Sequence, residues 1–139
     1  MPIKVEASEG LLTAATEKQL FQELFDSFLR INGALGNPFI TPNMIGDGYT
    51  IPAGRTYSGN GIDLHIAIGL KVPGFALPTV EQRKTFVEEA TEAAFRAAGG
   101  KLAKERIFVS LLYGDGMWGI GGVAYTDETL AKAIEAAAK

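Results

Sequence analysis

Two helix-forming stretches of similar length, each followed and preceded by an apolar strand-forming run, restrict the chain to a β-α-β unit written twice. The first stretch opens at Thr13, which can cap a helix running to about Ile31. Its Leu20, Phe21, Leu24, Phe25, Phe28 and Leu29 recur at three- and four-residue steps, forming one buried stripe, and Gly33 and Gly36 end it. The second opens at Thr79 and runs to about Ala98, with Phe86, Val87, Ala90, Ala94 and Ala97 inward, and stops at Gly99 and Gly100.

Strands are expected over residues 2–7, 39–45, 62–70 and 106–113. Pro42 weakens the second and predicts an edge or a bulge there. The third is apolar almost throughout, which predicts cover on both faces. Residues 49–60 read as a turn-rich loop or hairpin and 116–124 as a hairpin arm. Thr126 and Asp127 can cap a short terminal helix over 127–138, carrying the stripe Leu130, Ile134 and Ala137.

Glycine punctuation supports the duplication. Gly46-Asp47-Gly48 precedes Gly54, and Gly114-Asp115-Gly116 precedes Gly122, an offset of 68 residues. Both Gly-Asp-Gly segments read as turns, because neither opens a helix with a phosphate-loop lysine or serine. The expected architecture is an α/β two-layer sandwich in one domain, residues 1–139, with pseudo-repeats at about 2–60 and 62–125. A helical crossover favours parallel pairing within each unit, giving four strands with two helices on one face. The other face is left apolar, and self-association is the simplest way to cover it.

Composition narrows the chemistry. The chain has 139 residues, a net charge of −3, no cysteine and one histidine, His65. That charge gives no reason to expect nucleic acid or an anionic membrane as partner. Thiolate catalysis is excluded, and so is a multi-histidine metal site in one chain. No cofactor is implied. No apolar run reaches membrane-spanning length and the first residues make a poor export signal, so the cytoplasm is the expected compartment. No Gly-x-Ser-x-Gly turn is present.

One residue supplies an unusual group. Removal of Met1 would give Pro2 a free secondary amine, whereas an internal proline nitrogen is an unreactive amide. Such an amine can exchange a proton near neutral pH if its surroundings lower its pKa. Pro2, the duplicated unit and the late Trp118-Gly119-Ile120-Gly121-Gly122 hairpin together resemble the tautomerase superfamily. That group includes 4-oxalocrotonate tautomerase, macrophage migration inhibitory factor, the 3-chloroacrylic acid dehalogenases and malonate semialdehyde decarboxylase.

The resemblance implies a homotrimer in which the Pro2 amine is the general base or acid. It implies keto–enol tautomerisation of a small carboxylated 2-oxo compound. Cations that bind the substrate carboxylate would also stabilise the developing enolate. The short tautomerases carry an arginine just after strand 1, and residues 9–13 here have none. The dehalogenases and the decarboxylase carry two arginines after strand 3, where this chain has only Lys71. Hydrolytic dehalogenation is therefore disfavoured.

The remaining candidates are weighed by residue type. Lys71 sits where the relatives keep a cation, against a snorkelling strand-end lysine. Arg55 could bind a carboxylate across a subunit boundary, against a solvated loop arginine. Trp118 and Phe39 could form an apolar wall, and Asn43 could hydrogen-bond a substrate carbonyl. Tyr113 falls where some relatives place a catalytic tyrosine. His65, on an apolar strand, reads as a packing residue. Two other functions stay open: decarboxylation of a β-keto or semialdehyde acid, and non-catalytic ligand binding by a trimer. A dimeric ferredoxin-like binding domain, in which Pro2 has no role, is a further possibility.

Overall fold

The structure, a computed structural model, describes residues 1–114 and 116–139; Asp115, at the centre of the second Gly-Asp-Gly segment, lies outside them. The first unit runs β1 (Pro2–Ser8), α1 (Ala14–Ile31) and β2 (Ile45–Ile51). A ribbon of β3 (Tyr57–Ser58) and β4 (Gly61–Ile62) leads to the second unit, β5 (Ile66–Val72), α2 (Val80–Ala97) and β6 (Ile107–Tyr113). A hairpin of β7 (Trp118–Ile120) and β8 (Val123–Tyr125) then precedes α3 (Asp127–Ala137). The main sheet has the order β2-β1-β5-β6. Each unit pairs its own strands in parallel, and the units join antiparallel through β1 and β5.

All three helices start as their cap residues dictate. Thr13, Thr79 and Thr126 each accept a bond from the third helical N–H and donate their own backbone N–H to that residue's side chain. On β1, Ile3, Val5 and Ala7 are buried under the helices, while Lys4 and Glu6 point to the bare face. Ile66, Ile68, Leu70 and Val72 continue that buried layer on β5.

Three sequence expectations need correction. Residues 39–45 are not a strand. Pro42 sits in a 3-10 turn, Thr41–Asn43, and β2 begins only at Ile45 and consumes part of the expected loop. Proline has no N–H for a ladder, and the strand starts once that constraint has passed.

Gly46 and Gly48 are likewise not turn residues. They lie inside β2, where a Cβ on Gly46 would come within 2.5 Å of the Phe21 ring and one on Gly48 within 2.5 Å of the Glu17 carboxylate. Their role is close approach of α1 to the strand.

The third strand starts at Ile66, four residues late. Asp63 accepts from the Leu64 N–H and donates its own N–H to the Thr56 carbonyl, which bends the chain ahead of it. Within one chain β5 is covered on one face. It reads as apolar throughout because its outward residues include Ala67 and Gly69.

The bare face carries Ile45, Tyr49, Phe108 and Leu112 as large exposed apolar side chains, interrupted by Lys4, Glu6 and Lys71. Among the described residues no helix is long and apolar enough to cross a membrane.

Candidate active site

Pro2 opens β1 and is half-buried. It lines a cavity of about 500 Å³ on the bare face, together with Lys4, Glu6, Lys71, Ser110 and Leu112. Antiparallel pairing of β1 with β5 matches Ile3 with Leu70, and so brings Lys71 to the Pro2 end of the strand. Alternation along β1 puts Lys4 on the same face as Pro2. Two ammonium groups therefore border one mouth.

Met1 occupies the space in front of the Pro2 nitrogen. Its ammonium donates to the Asn43 carbonyl at 2.9 Å, and its carbonyl accepts from the Ile45 N–H at 3.3 Å. Burial pushes the Met1 ammonium below its ordinary pKa, because desolvation disfavours the charged form. The Met1 side chain packs against the core on the helical side of the sheet.

A circuit of contacts encloses this end of the sheet. The Asn43 side-chain amide donates to the Phe39 carbonyl at 2.7 Å. Phe39 meets the Tyr125 ring edge-on, with centroids 5.9 Å apart. Tyr125 pairs across the hairpin with Trp118. The Lys71 ammonium lies 5.8 Å from the Trp118 ring centroid. Gly114 makes room, since a Cβ there would fall 2.7 Å from the indole.

Asp127 fixes the hairpin. Its carboxylate accepts from the Trp118 indole N–H at 3.0 Å and from the Gly74 backbone N–H at 3.1 Å. One carboxylate at the start of α3 thus ties the hairpin to the loop after β5, where the helix dipole also favours it.

Of the sequence candidates, Pro2, Lys71, Trp118, Phe39 and Asn43 share this end of the molecule. Arg55 does not. β2 runs parallel to β1 with Pro2 opposite Ile45 and Ser8 opposite Ile51, so Arg55, beyond Ile51, lies past the opposite end of the sheet. Within one chain it cannot serve Pro2.

Tyr113 points to the helical side. Its hydroxyl donates to the Ala76 and Leu77 carbonyls at 3.0 and 3.3 Å, and Arg83 stacks on its ring. It anchors the loop after β5. His65 meets the Phe108 ring edge-on, and its backbone exchanges hydrogen bonds with Ser8, far from Pro2.

Sequence reasoning missed Lys4, Tyr125, Asp127 and the Ile45 N–H. Strand alternation from Pro2 signals Lys4. No local signal marks the contacts of the other three with Phe39, Gly74 and Met1, which are distant in sequence. Among the described residues no group of three or more histidine or acidic side chains could hold a metal.

No protein-family model matches the chain, and no curated protein matches it by sequence. Solved structures do match in shape. The native fused 4-OT superposes with a TM-score of 0.73 at 17% identity, covering 94% of this chain and 99% of the other. N1, a member of the cis-3-chloroacrylic acid dehalogenase family, gives 0.78 at 14% identity over 98% of this chain and 91% of its own. The chain has the tautomerase-superfamily fold. Pt0534, described as inactivated by 2-oxo-3-pentynoate, gives 0.75 at 18% identity over 94% of this chain and 98% of its own. Nearly full coverage of both partners matches this fold across both β-α-β units.

Proposed function

We propose that this chain is a cofactor-independent tautomerase acting on a small carboxylated 2-oxo compound, with the Pro2 amine, freed of Met1, moving the proton. The observation that carries the reading is Pro2 at the mouth of a cavity bordered by Lys4 and Lys71. The amine takes the proton from C3, the C3–H pair forms the C2–C3 double bond, and the carbonyl π pair moves to oxygen. Delivery of the proton from the ammonium to the enolate oxygen gives the enol and restores the neutral amine, and the reverse path returns the keto form.

Neutral amine is the working form. An α-amine ordinarily titrates at about 7.7–8.0. The half-buried place of Pro2 and the neighbouring Lys4 and Lys71 ammoniums would lower that value, against Glu6 on the same cavity. The lysines also attract the substrate carboxylate and the enolate. Loss of Met1 would leave the Ile45 N–H without its acceptor and ready to donate to the substrate oxygen.

The exposed Ile45, Tyr49, Phe108 and Leu112 support burial of the bare face in a trimer, and one fused 4-OT similar in fold is described as a symmetric trimer. A trimer would also give Arg55 a route to a neighbouring chain's site. Light scattering should return three times the 14.8 kDa chain mass.

Intact mass should lack one methionine. 2-Oxo-3-pentynoate, an electrophilic 2-oxo acid, should add once, on the peptide beginning at Pro2. Pro2→Ala should lower kcat/KM for enolised 2-oxo acids by about 100-fold or more, the usual worth of a positioned base. Retained Met1, or a variant as active as wild type, defeats the proposal. Carbon dioxide release from β-keto acids on the same samples would redirect it toward decarboxylation.

A further inference from the structure

We infer that the site binds its substrate across the edge of the sheet, and that an apolar cavity under α3 receives an uncharged alkyl tail. This inference rests on the tautomerase reading above. The guide is Met1 itself. It is bonded to the Pro2 nitrogen, so the volume it fills is the volume the freed amine would face.

That volume opens on the helical side into a cavity of about 290 Å³, lined by Met1 with Phe28, Ile40, Phe75, Pro78, Ala131 and Ile134. Pro2 borders the sheet-face cavity and Met1 borders this one, so a single peptide bond separates the two. A molecule with its reacting carbon at the Pro2 nitrogen would reach into both.

The two cavities differ in charge. Lys4 and Lys71 border the sheet-face cavity with Glu6, two cations against one carboxylate. Once Met1 is gone, the one under α3 is lined by no cation, and its charged residue is Glu135, exposed at the rim. Its polar side chains are already engaged. The Asn32 amide bonds the Phe28 carbonyl and the Leu77 N–H, and the Gln82 amide bonds the Ile31 carbonyl and the Thr79 N–H. What remains is apolar wall. A second carboxylate there would meet Glu135 without a partner. The carboxylate and carbonyl therefore lie toward the lysines, and the alkyl end lies under α3. The substrate class is a monocarboxylic 2-oxo acid with an aliphatic chain.

Deuterium uptake at C3 in heavy water reads this directly, corrected for the uncatalysed rate. Wild-type kcat/KM for 2-oxohexanoate should exceed that for pyruvate about tenfold or more, since each buried methylene contributes. It should exceed that for 2-oxoadipate, whose far end is charged. Ala131→Phe, which fills the cavity, should bring the ratio of 2-oxohexanoate to pyruvate toward one. Glu135→Lys, at the exposed rim and safe for folding, should raise 2-oxoadipate relative to 2-oxohexanoate. Equal wild-type rates for pyruvate and 2-oxohexanoate overturn the inference alone. So does a preference that survives both variants. Absence of exchange with every 2-oxo acid, in protein shown to lack Met1, overturns the tautomerase reading and this inference with it.

Discussion

The two β-α-β units fill the same layer in opposite ways. In the first, the helix is large and the strand is small: Phe21 and Phe25 of α1 lie over Gly46 of β2, with Leu20, Leu24 and Phe28 buried beside them. In the second, α2 buries Ala90, Ala93 and Ala94, and β6 supplies Ile107, Val109 and Leu111. Packing density must be similar in both. The two units therefore differ in which side of the layer supplies the bulk, the helix in the first and the strand in the second. Tight approach of α1 needs glycine in β2, whereas α2 approaches through its own alanines.

The comparison breaks first at Phe86, the one large, fully buried side chain on the small-faced helix. Phe86→Ala should cost about 3–5 kcal/mol in urea unfolding. Phe21→Ala, at a half-buried ring on the large-faced helix, should cost clearly less. Equal costs would mean the two units share their packing load evenly.

Gly46→Val drives a branched side chain into the Phe21 ring and should cost about 1–3 kcal/mol. Combining it with Phe21→Ala should recover part of that loss, a coupling the double-mutant cycle reads. Simple addition of the two costs would show that the close approach does not explain the glycine.

The site draws one lysine from each unit, which sharpens the comparison in function. Lys71→Ala should lower kcat/KM about tenfold, equivalent to ~1.4 kcal/mol. Removing that cation relieves the charged amine, raising its pKa, so the acid limb of the pH–rate profile should move to higher pH. Lys4→Ala should shift it the same way. A limb unmoved in both variants would separate the lysines from the amine.

The smallest effect lies between the helices. Arg30 of α1 pairs with Glu89 of α2, which also accepts from Ser27. Burial alone would raise the Glu89 carboxyl, but the Arg30 and Ser27 hydrogen bonds hold it below its ordinary value. The pair is largely exposed, so Arg30→Ala should cost at most about 1 kcal/mol at neutral pH. A carboxyl depressed on folding stabilises above its unfolded pKa, and this share disappears as pH falls through the folded value. The wild-type and variant urea midpoints should therefore converge in acid.

The helices were legible because their signals are local. Thr13, Thr79 and Thr126 cap where expected, and the spacing of Leu20, Leu24 and Phe28 marks the inner face of α1 without reference to anything else. The glycine repeat misled. Its offset of 68 residues is not that of the structure, in which the first strands of the two units start 64 positions apart, at Pro2 and Ile66, and the second strands 62 apart, at Ile45 and Ile107. Gly46 and Gly48 answer to side chains on α1, some twenty-five residues earlier, and such pressure leaves no turn-like or strand-like mark at the glycines themselves.

By itself the sequence determined the elements with short-range causes: three capped helices, the alternating β1, the parallel pairing that a helical crossover imposes, and Pro2 as a prospective amine. Only the tertiary structure decided which side chains share that residue's end of the sheet. It brought in Lys71 through antiparallel pairing, Lys4 through the bare face, and Trp118 through Asp127, and it left Arg55 past the far end of the sheet. Caps and alternation are settled within a few residues by backbone geometry. Convergence at a site depends on strand register and layer packing, which are global properties of the folded chain.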